Sequence, residues 1–363
     1  MVGGAGDSVS AAALRLARLL AEPDGAAALD ERQWGEVIAI ARAELLLGTL
    51  AVRVAGLPLP PGVAPILADA AAAAEANRRA ALWEAQAAAR ALAPLGLVAL
   101  LLKGTAYLAA GLEAGRGRSV GDLDLLVPRD RLAEAEGALL AAGWEWVKPD
   151  SYDDAYYRRW MHELPPLIHR ERDRMADVHH TILPLTARPT PDAAALVAAA
   201  VPLGADGEGR LATLSPADMI VHAAAHLIAD GDLAGGLRNL WDIDRLCREF
   251  GDDRDIYADV HERARRHGLG KAVARALRLA QQLYGTPASQ DHAPAGARRG
   301  ERWSDRLFRR RLLARDGWGR PTRPAIRLSF YVRSHALRMP PAMLARHLWV
   351  KWRRAGDRGP PGA

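Results

Sequence analysis

Apolar residues spaced three and four positions apart predict helices on both sides of a central segment. Two of the helix starts have recognisable capping residues. Asp30 is followed by Gln33 three positions later, and Ser215 is followed by Pro216 and an acidic residue in the first turn. Glycine and proline clusters separate the helical stretches. The predicted helices span 11–22, 30–54, 63–92, 107–112, 131–142, 193–200, 239–250, 257–267 and 271–284, with one more beginning at Ser215.

The central segment changes to patterns that are typical of strands. Residues 97–102 form a continuous apolar run, which suits a strand buried on both faces. Residues 122–127 begin with alternating acidic and apolar positions, so Asp122 and Asp124 point to one face while the leucines between and after them point to the core. A further strand is predicted at 144–147.

A β-hairpin is predicted downstream of these strands. Two apolar stretches, 164–169 and 175–183, flank five consecutive charged residues. On the second strand of this hairpin, Asp177 and His179 point to the same face. If that face meets the face with the acidic pair, a third carboxylate joins the other two.

The acidic pair on the strand has the chemistry of a metal site. Two carboxylates a few ångström apart repel each other unless a cation compensates, and Mg²⁺ is the usual cation for paired hard oxygen ligands. The alternative is that both are solvated carboxylates near a strand end. The triplet Lys103-Gly104-Thr105 lies where the preceding strand turns into a helix, and the N–H groups of a helix start attract phosphate.

Three basic residues near this triplet have more than one possible role. Lys103 either reaches a phosphate or stabilises the sheet edge. Arg116 and Arg118 lie in a basic, glycine-containing loop at 115–119, where they can neutralise a triphosphate, pair with the carboxylates or remain solvated.

Together these motifs resemble the polymerase β-like nucleotidyltransferase superfamily, which has a glycine and a small hydroxyl residue at the end of one strand and Asp-x-Asp on the next. Within it, the triplet at 103–105, residues 118–127 and the Asp-x-His at 177–179 are similar to a bacterial family of uncharacterised nucleotidyltransferases. The resemblance extends over about residues 36–287. One departure is the interval of 17 residues between Gly104 and the Asp-x-Asp, which is longer than usual in the superfamily.

The resemblance implies an α+β fold. In it a polymerase β-like palm, a small mixed β-sheet with flanking helices, follows N-terminal helices and precedes a helical domain. We expect an N-terminal helical segment at 1–95, the palm at 96–205, the helical domain at 206–290 and a basic region at 291–363. In related transferases such a helical domain faces the palm and shapes the acceptor or base pocket.

The activity implied is Mg²⁺-dependent transfer of an NMP from an NTP, such as ATP, to a hydroxyl-bearing acceptor. The acceptor is open among small molecules, peptides, proteins and RNA. Asp122, Asp124 and Asp177 are the expected catalytic acids, and they would hold two Mg²⁺ ions, or Mn²⁺ in their place. Asp177 is also expected to take the proton of the acceptor. The residues expected to bind the nucleotide are Lys103, Gly104, Thr105 and Arg118.

A histidine pair in the C-terminal half allows a different reading. His222 and His226 lie four residues apart on one helix face, a spacing that can bind a metal ion with Asp242 or Asp244 as an oxygen ligand. That site would make the protein a His/Asp metal-dependent phosphohydrolase. Otherwise the pair packs against a tryptophan or, together with His179, lines the acceptor side of the cleft. A third possibility is a catalytically silent nucleotide-binding or regulatory module of the same fold.

The composition narrows the setting in which the protein works. Cys247 is the single cysteine, which excludes an internal disulfide and favours a reducing cytosol. Residues 1–10 lack the pattern of a secretory signal, and no apolar run is long enough to span a bilayer. We therefore expect a cytoplasmic protein.

The net charge of +6 is concentrated near the C-terminus. Residues 298–363 contain 18 Lys and Arg against 4 Asp and Glu. The same region contains tryptophans, and arginine with tryptophan can bind nucleic acid or an anionic surface. The alternative is that helices at 306–314 and 341–353 pack on the body with their arginines outward. The tryptophans are Trp303, Trp318, Trp349 and Trp352.

Overall fold

The computed structural model describes residues 4–147, 151–204, 210–251, 256–287, 299–338 and 349. The strands in these residues are β1 (Ala99–Leu101), β2 (Asp122–Leu126), β3 (Trp144–Trp146), β4 (Leu167–His169), β5 (Met175–His179), β6 (Val201–Leu203) and β7 (Leu211–Thr213). The α-helices are α1 (Gly4–Ala21), α2 (Glu31–Ala43), α3 (Leu47–Arg53), α4 (Ala64–Leu92), α5 (Lys103–Ala109), α6 (Leu132–Ala141), α7 (Ser151–Trp160), α8 (Ala193–Ala198), α9 (Pro216–Ala224), α10 (Gly236–Gly251), α11 (Ile256–Arg266), α12 (Gly270–Tyr284), α13 (Arg299–Leu312) and α14 (Pro324–Arg338).

The strands form one mixed sheet in the order β3-β4-β5-β2-β1-β7-β6. β2 lies between β5 and β1, parallel to β5 and antiparallel to β1. β1 is parallel to β7, and the other neighbours are antiparallel. The predicted hairpin is β4 and β5. The observed sheet with flanking helices confirms the predicted α+β class and is consistent with a nucleotidyltransferase palm.

Burial explains why β1 and β2 form the middle of the sheet. All three residues of β1 are buried, as the apolar run at 97–102 predicts. In β2, Leu123 and Leu125 are at most 3% exposed, and they alternate with the two acidic residues. The long helix α4 packs against both strands and against α5 and α6, so this N-terminal helix covers the sheet.

The C-terminal helices form a second layer that meets the sheet. α9 packs against α10, α11 and α12, and it also contacts α5, which follows β1. α10 contacts the 3₁₀ turn Glu113–Gly115. The interval of 17 residues before β2 is therefore filled largely by α5 and this turn. α1 packs against α12, and one continuous apolar core joins these layers.

The two helix N-caps predicted from the sequence are present in the structure. The Asp30 side chain accepts from the backbone N–H of Gln33 at 2.8 Å, and the Gln33 side chain accepts from the Asp30 backbone, which completes the predicted capping box. The Ser215 hydroxyl accepts from the backbone N–H of Asp218 at the start of α9. Gly143 ends the turn after α6 with a φ of 103°.

The helix predicted at 30–54 is wrong as a single element, because the chain breaks between α2 and α3. Leu45 has a φ of 56° in this break, a conformation that interrupts the helix. The bend places the carboxylate of Glu44 inside the protein, where it accepts from Arg315 at 2.8 Å and from the backbone N–H of Leu237 at 3.3 Å. These partners are distant in sequence, so helical periodicity alone could not reveal the break.

The proline-rich stretch at 184–209 contains a strand as well as the predicted helix. Its helix, α8, is present, but β6 follows it directly, and β7 comes just after the stretch. β7 pairs with β1, so the sheet extends past residue 205. Neither strand is longer than three residues, and Pro202 lies within β6, so the residues show little of the alternation that identifies a strand. Likewise, α7 and α14 were not predicted.

The basic C-terminal region packs on the body where it is described. Phe308 of α13 and Phe330 of α14 meet edge to face, with 4.8 Å between their ring centroids. Asp305 accepts from Arg275 and Arg278 of α12. The helix predicted at 306–314 is thus part of α13. The helix predicted at 341–353 lies outside the described residues, apart from one tryptophan at 349, and Trp352 lies outside them too.

None of the described helices combines the length and apolar character needed to cross a membrane. The thiol of Cys247, in α10, is buried.

Candidate active site

The three acidic residues predicted from the sequence come together at the centre of the sheet. β2 and β5 are parallel neighbours, and their register makes Asp124 and Asp177 Cα partners. Asp122 and Asp124 lie on the same face of β2. One carboxylate oxygen from each of the three residues lies within 4.8 Å of the others. Within the described part of the chain, Asp177 Oδ1 is buried without a hydrogen-bond partner, so this oxygen is a potential cation ligand.

Lys103 lies against the acidic pair. It follows β1 directly and has a φ of 49°, a strained conformation for a residue with a side chain. Its Nζ donates to Asp124 Oδ1 at 2.6 Å, and His179 Nε2 approaches the same oxygen at 2.9 Å. Asp124 is 3% exposed, so this carboxylate is buried but compensated. Its second oxygen accepts no hydrogen bond from the described residues.

The three carboxyl groups differ in the direction in which their surroundings shift the pKa. Burial opposes ionisation of Asp124, but Lys103 and His179 together hold its pKa well below the ordinary value. Burial and the charge of Asp124 raise the pKa of Asp122. Burial, with Glu163 and Asp124, raises the pKa of Asp177 to about 7. A divalent cation would reverse the last two effects, so the set fits Mg²⁺ or Mn²⁺.

Gly104 and Thr105 lie in the first turn of α5, immediately after Lys103. Thr105 is 1% exposed, and its hydroxyl donates to the backbone carbonyl of Asp122 at 3.4 Å. The space where Gly104 would have a Cβ is filled by Arg118, whose Nε would lie 2.5 Å away. The absence of a side chain at Gly104 thus lets the arginine pack against α5. Roles for both residues in phosphate binding stay a prediction.

Arg118 is buried and joins the palm to the helical layer. Its guanidinium donates to both carboxylate oxygens of Asp242, on α10, with 2.6 Å to Oδ1. It also lies over the ring of Tyr107, 5.6 Å from the centroid. The loop that precedes β2 is therefore anchored through this arginine. A contact of Arg118 with nucleotide remains a prediction.

The packing of Arg118 against Gly104 predicts the effect of adding one methyl group. Gly104→Ala places a Cβ 2.5 Å from Arg118 Nε and 2.8 Å from Val120 Cγ2, and Asp242 prevents the arginine from moving aside. We expect a loss of about 1–3 kcal/mol in the free energy of unfolding, despite the higher helix propensity of alanine. Urea denaturation measures this loss.

The matched control for this change is Gly121→Ala. A Cβ at Gly121 meets no atom within 4 Å, and its φ is not in the left-handed region. The control should unfold at the urea concentration of the wild type. Equal urea midpoints for Gly104→Ala and wild type would contradict the packing described here.

The histidine pair lies near the acidic site. His222 is in α9, and His226 lies in the π-helical turn Ala225–Asp230 that continues it. Burial, and then the charge of Lys103, lowers the pKa of His222 to about 3 and that of His226 well below its ordinary value. Both rings are therefore neutral at physiological pH.

The histidine pair does not form a metal-binding group with Asp242 or Asp244, as the phosphohydrolase hypothesis requires. Both oxygens of Asp242 accept from Arg118, and Asp244 accepts from Arg245, Arg248 and Thr286. Among the described residues, the two groups of side chains with metal-binding geometry do not include the histidine pair.

Three residues near the site were missed by sequence reasoning. Arg238, on α10, lies close enough to Asp122 for their charges to interact, and its Nε is buried without a partner among the described residues. His162 and Glu163 lie beside His179. The His-Glu pair just before the predicted hairpin was a usable signal, whereas nothing local distinguishes Arg238 from other arginines.

A mixed sheet flanked by helices, with acidic side chains gathered on two neighbouring parallel strands, is the architecture of a nucleotidyltransferase palm. A family model for uncharacterised nucleotidyltransferases matches residues 30–285. The chain belongs to this family, and the resemblance inferred from its motifs is confirmed. A search of curated proteins and a search of solved structures each found no match.

Proposed function

We propose that the protein transfers an NMP from an NTP to a hydroxyl-bearing acceptor in a Mg²⁺-dependent reaction. The family supports nucleotidyl transfer in general, and with it an NTP substrate. The observation on which the finer proposal rests is the convergence of Asp122, Asp124 and Asp177 from two parallel strands. One of the three carboxylates is buried and another is half-buried, so their gathering is costly unless they bind cations, and a purely structural role would not require it.

These three aspartates would hold the metal ions. Two Mg²⁺ ions, or Mn²⁺, would neutralise the charge that develops on the attacking and leaving oxygens of the transfer. Asp124 is already ionised, since Lys103 and His179 lower its pKa, and its second oxygen is free to bind a cation. Lys103 thus acts by orienting Asp124 as well as by adding positive charge near the phosphates.

Asp177 is the proposed acceptor of the hydroxyl proton. As that proton leaves, the acceptor oxygen forms a bond to the α-phosphorus of the NTP. The bond from this phosphorus to the bridging oxygen breaks, and pyrophosphate leaves. Its carboxylate lies in one cluster with Asp122 and Asp124, which would place a base beside the reacting oxygen.

The triphosphate would bind between the start of α5 and α10. We propose that Arg238 contacts it, because this guanidinium is near Asp122 and its one hydrogen bond among the described residues is a contact of 3.5 Å to the Ser119 carbonyl. Gly104 and Thr105 would contribute backbone N–H groups. Arg118 would act indirectly, because its ion pair with Asp242 fixes the loop before β2.

The acceptor side of the cleft is proposed to include His179, His222 and His226. Burial and the charge of Lys103 keep the last two neutral, so they can accept or donate hydrogen bonds to a polar acceptor without adding charge.

Four arginines of the C-terminal region line a groove of about 840 Å³ with an exposed tryptophan beside them, which supports an anionic partner, either nucleic acid or an anionic surface. These arginines are Arg306, Arg309, Arg310 and Arg323.

A labelling experiment tests the proposal and separates it from its rivals. The protein is incubated with Mg²⁺, each NTP in turn and a heat-treated cell extract, with ³²P at the α position in one series and at the γ position in the other. We expect an acceptor that gains α-label and no γ-label from at least one NTP. Transfer of γ-label, or release of label only as hydrolysis products, would contradict nucleotidyl transfer. No turnover with any NTP would favour the catalytically silent module.

A further inference from the structure

A second group of metal-binding side chains lies beside the carboxylates, in the segment between α7 and β4. This segment runs antiparallel to the end of β5. The backbone N–H of His180 donates to the carbonyl of His162 at 2.8 Å, and Glu163 forms a β-bridge with His179. This pairing brings the side chains of His162, Glu163 and His179 together, with one ligand atom from each within 4.8 Å of the others.

The hydrogen bond of His179 to Asp124 determines which of its nitrogens faces this group. An ionised carboxylate only accepts hydrogen bonds, so the ring nitrogen 2.9 Å from Asp124 Oδ1, Nε2, bears the hydrogen. The other ring nitrogen, Nδ1, faces Glu163 Oε2 at 3.4 Å. Nδ1 is buried, and no described residue forms a hydrogen bond with it. A buried ring nitrogen without a partner beside a carboxylate oxygen is a pair of potential metal ligands.

The separations fit a shared ion better than a hydrogen bond. Glu163 Oε2 lies 3.4 Å from His179 Nδ1 and 3.7 Å from His162 Nε2, beyond the usual range of about 2.7–3.2 Å for N–H···O bonds. In a tetrahedral zinc site with bonds of about 2.05 Å, neighbouring ligand atoms are about 3.3 Å apart. Two imidazole nitrogens and one carboxylate oxygen are typical zinc ligands.

We propose that His162 Nε2, Glu163 Oε2 and His179 Nδ1 bind one Zn²⁺ ion, with a fourth position open to water. Asp124 then orients the zinc-bound His179 through its other nitrogen, the carboxylate–histidine–metal arrangement that commonly fixes a ligand ring. The side chains of His162 and Glu163 are 11% and 17% exposed, which leaves a path for the ion. Its three ligands differ from the proposed Mg²⁺ ligands, although Asp124 contacts His179, and the proposal does not rest on nucleotidyl transfer.

Zinc binding to the full-length protein tests the site directly. The protein is stripped with a chelator and titrated with Zn²⁺ in the presence of excess Mg²⁺, which competes for the three aspartates. We expect one Zn²⁺ per chain, with affinity reduced at least about 100-fold in His162→Ala and in Glu163→Gln. Substitution with Co²⁺ should give the strong visible absorption of a tetrahedral site in the wild type and lose it in both variants.

Two control variants keep the result interpretable. Asp122→Asn removes a proposed Mg²⁺ ligand and should bind Zn²⁺ as the wild type does. His180→Gln changes a neighbouring histidine whose Nε2 approaches the Met161 carbonyl, outside the cluster, and should also bind normally. Absence of zinc binding in the wild type, unchanged binding in His162→Ala, or loss of binding in Asp122→Asn would each overturn the proposal. Circular dichroism of each variant separates loss of a ligand from loss of the fold.

Discussion

Asp122→Asn is expected to lower the rate of nucleotidyl transfer by about 1000-fold or more while leaving the fold intact. The substitution removes the negative charge of a proposed metal ligand, and metal stabilisation of the transition state is worth several kcal/mol. Asp122 is the best position for the test, because its side chain is exposed at the start of β2. The measurement is the initial rate of α-label transfer at saturating NTP, over a range of Mg²⁺ concentrations.

Asp130→Asn is the matched control for that experiment. Asp130 is also an exposed aspartate, and it lies just after β2, in a turn outside the acidic cluster. It should transfer label at the wild-type rate. Asp124→Asn is a less clean test, because the change would also leave the Lys103 ammonium without its partner. A wild-type rate in Asp122→Asn, at any Mg²⁺ concentration, would refute the proposed metal site.

Asp242→Ala is expected to destabilise the protein by about 3–5 kcal/mol. The side chains of Arg118 and Asp242 are 6% and 5% exposed, so removal of the carboxylate leaves a buried guanidinium without its counter-charge. Arg118 also contacts Tyr107, and its Nε has no hydrogen-bond partner among the described residues, so nothing nearby can replace Asp242. The urea midpoint, with Asp130→Ala as an exposed control, measures the loss.

The double variant Arg118→Met with Asp242→Leu separates the charge from the packing. Replacement of both members of a buried ion pair by apolar residues of similar size is often neutral or stabilising, whereas removal of one member is not. We therefore expect the double variant to unfold at a higher urea concentration than Asp242→Ala. If the single variant unfolds with the wild type, the pair does not join the palm to α10 as described.

The part of the site that could be predicted from the sequence depends on local patterns. Side chains two residues apart in a strand point to the same face. This periodicity alone predicts that Asp122 and Asp124 share a face of β2, and that Asp177 and His179 share a face of β5. That the two faces meet followed from the resemblance to a family, because parallel pairing of strands far apart in sequence leaves no local signal.

The remaining contacts were beyond sequence reasoning because they join distant segments. The partner of Arg118 is 124 positions away, and Lys103, whose backbone is left-handed, contacts Asp124 at a separation of 21 positions. The break at Leu45 depends on a buried glutamate whose arginine partner lies 271 residues further on. β6 and β7 are too short for periodicity to be visible. In each case tertiary packing overrides the local preference.

The parallel pairing of β2 with β5 also determines when the acidic site can exist during synthesis. The first two aspartates lie on β2, but the third lies on β5, which follows β3 and β4 in the chain and then pairs with β2. A nascent chain that ends before residue 177 thus has only two of the three aspartates and cannot form the cluster. The proposed cation site can therefore form only after roughly the first half of the chain has been synthesised.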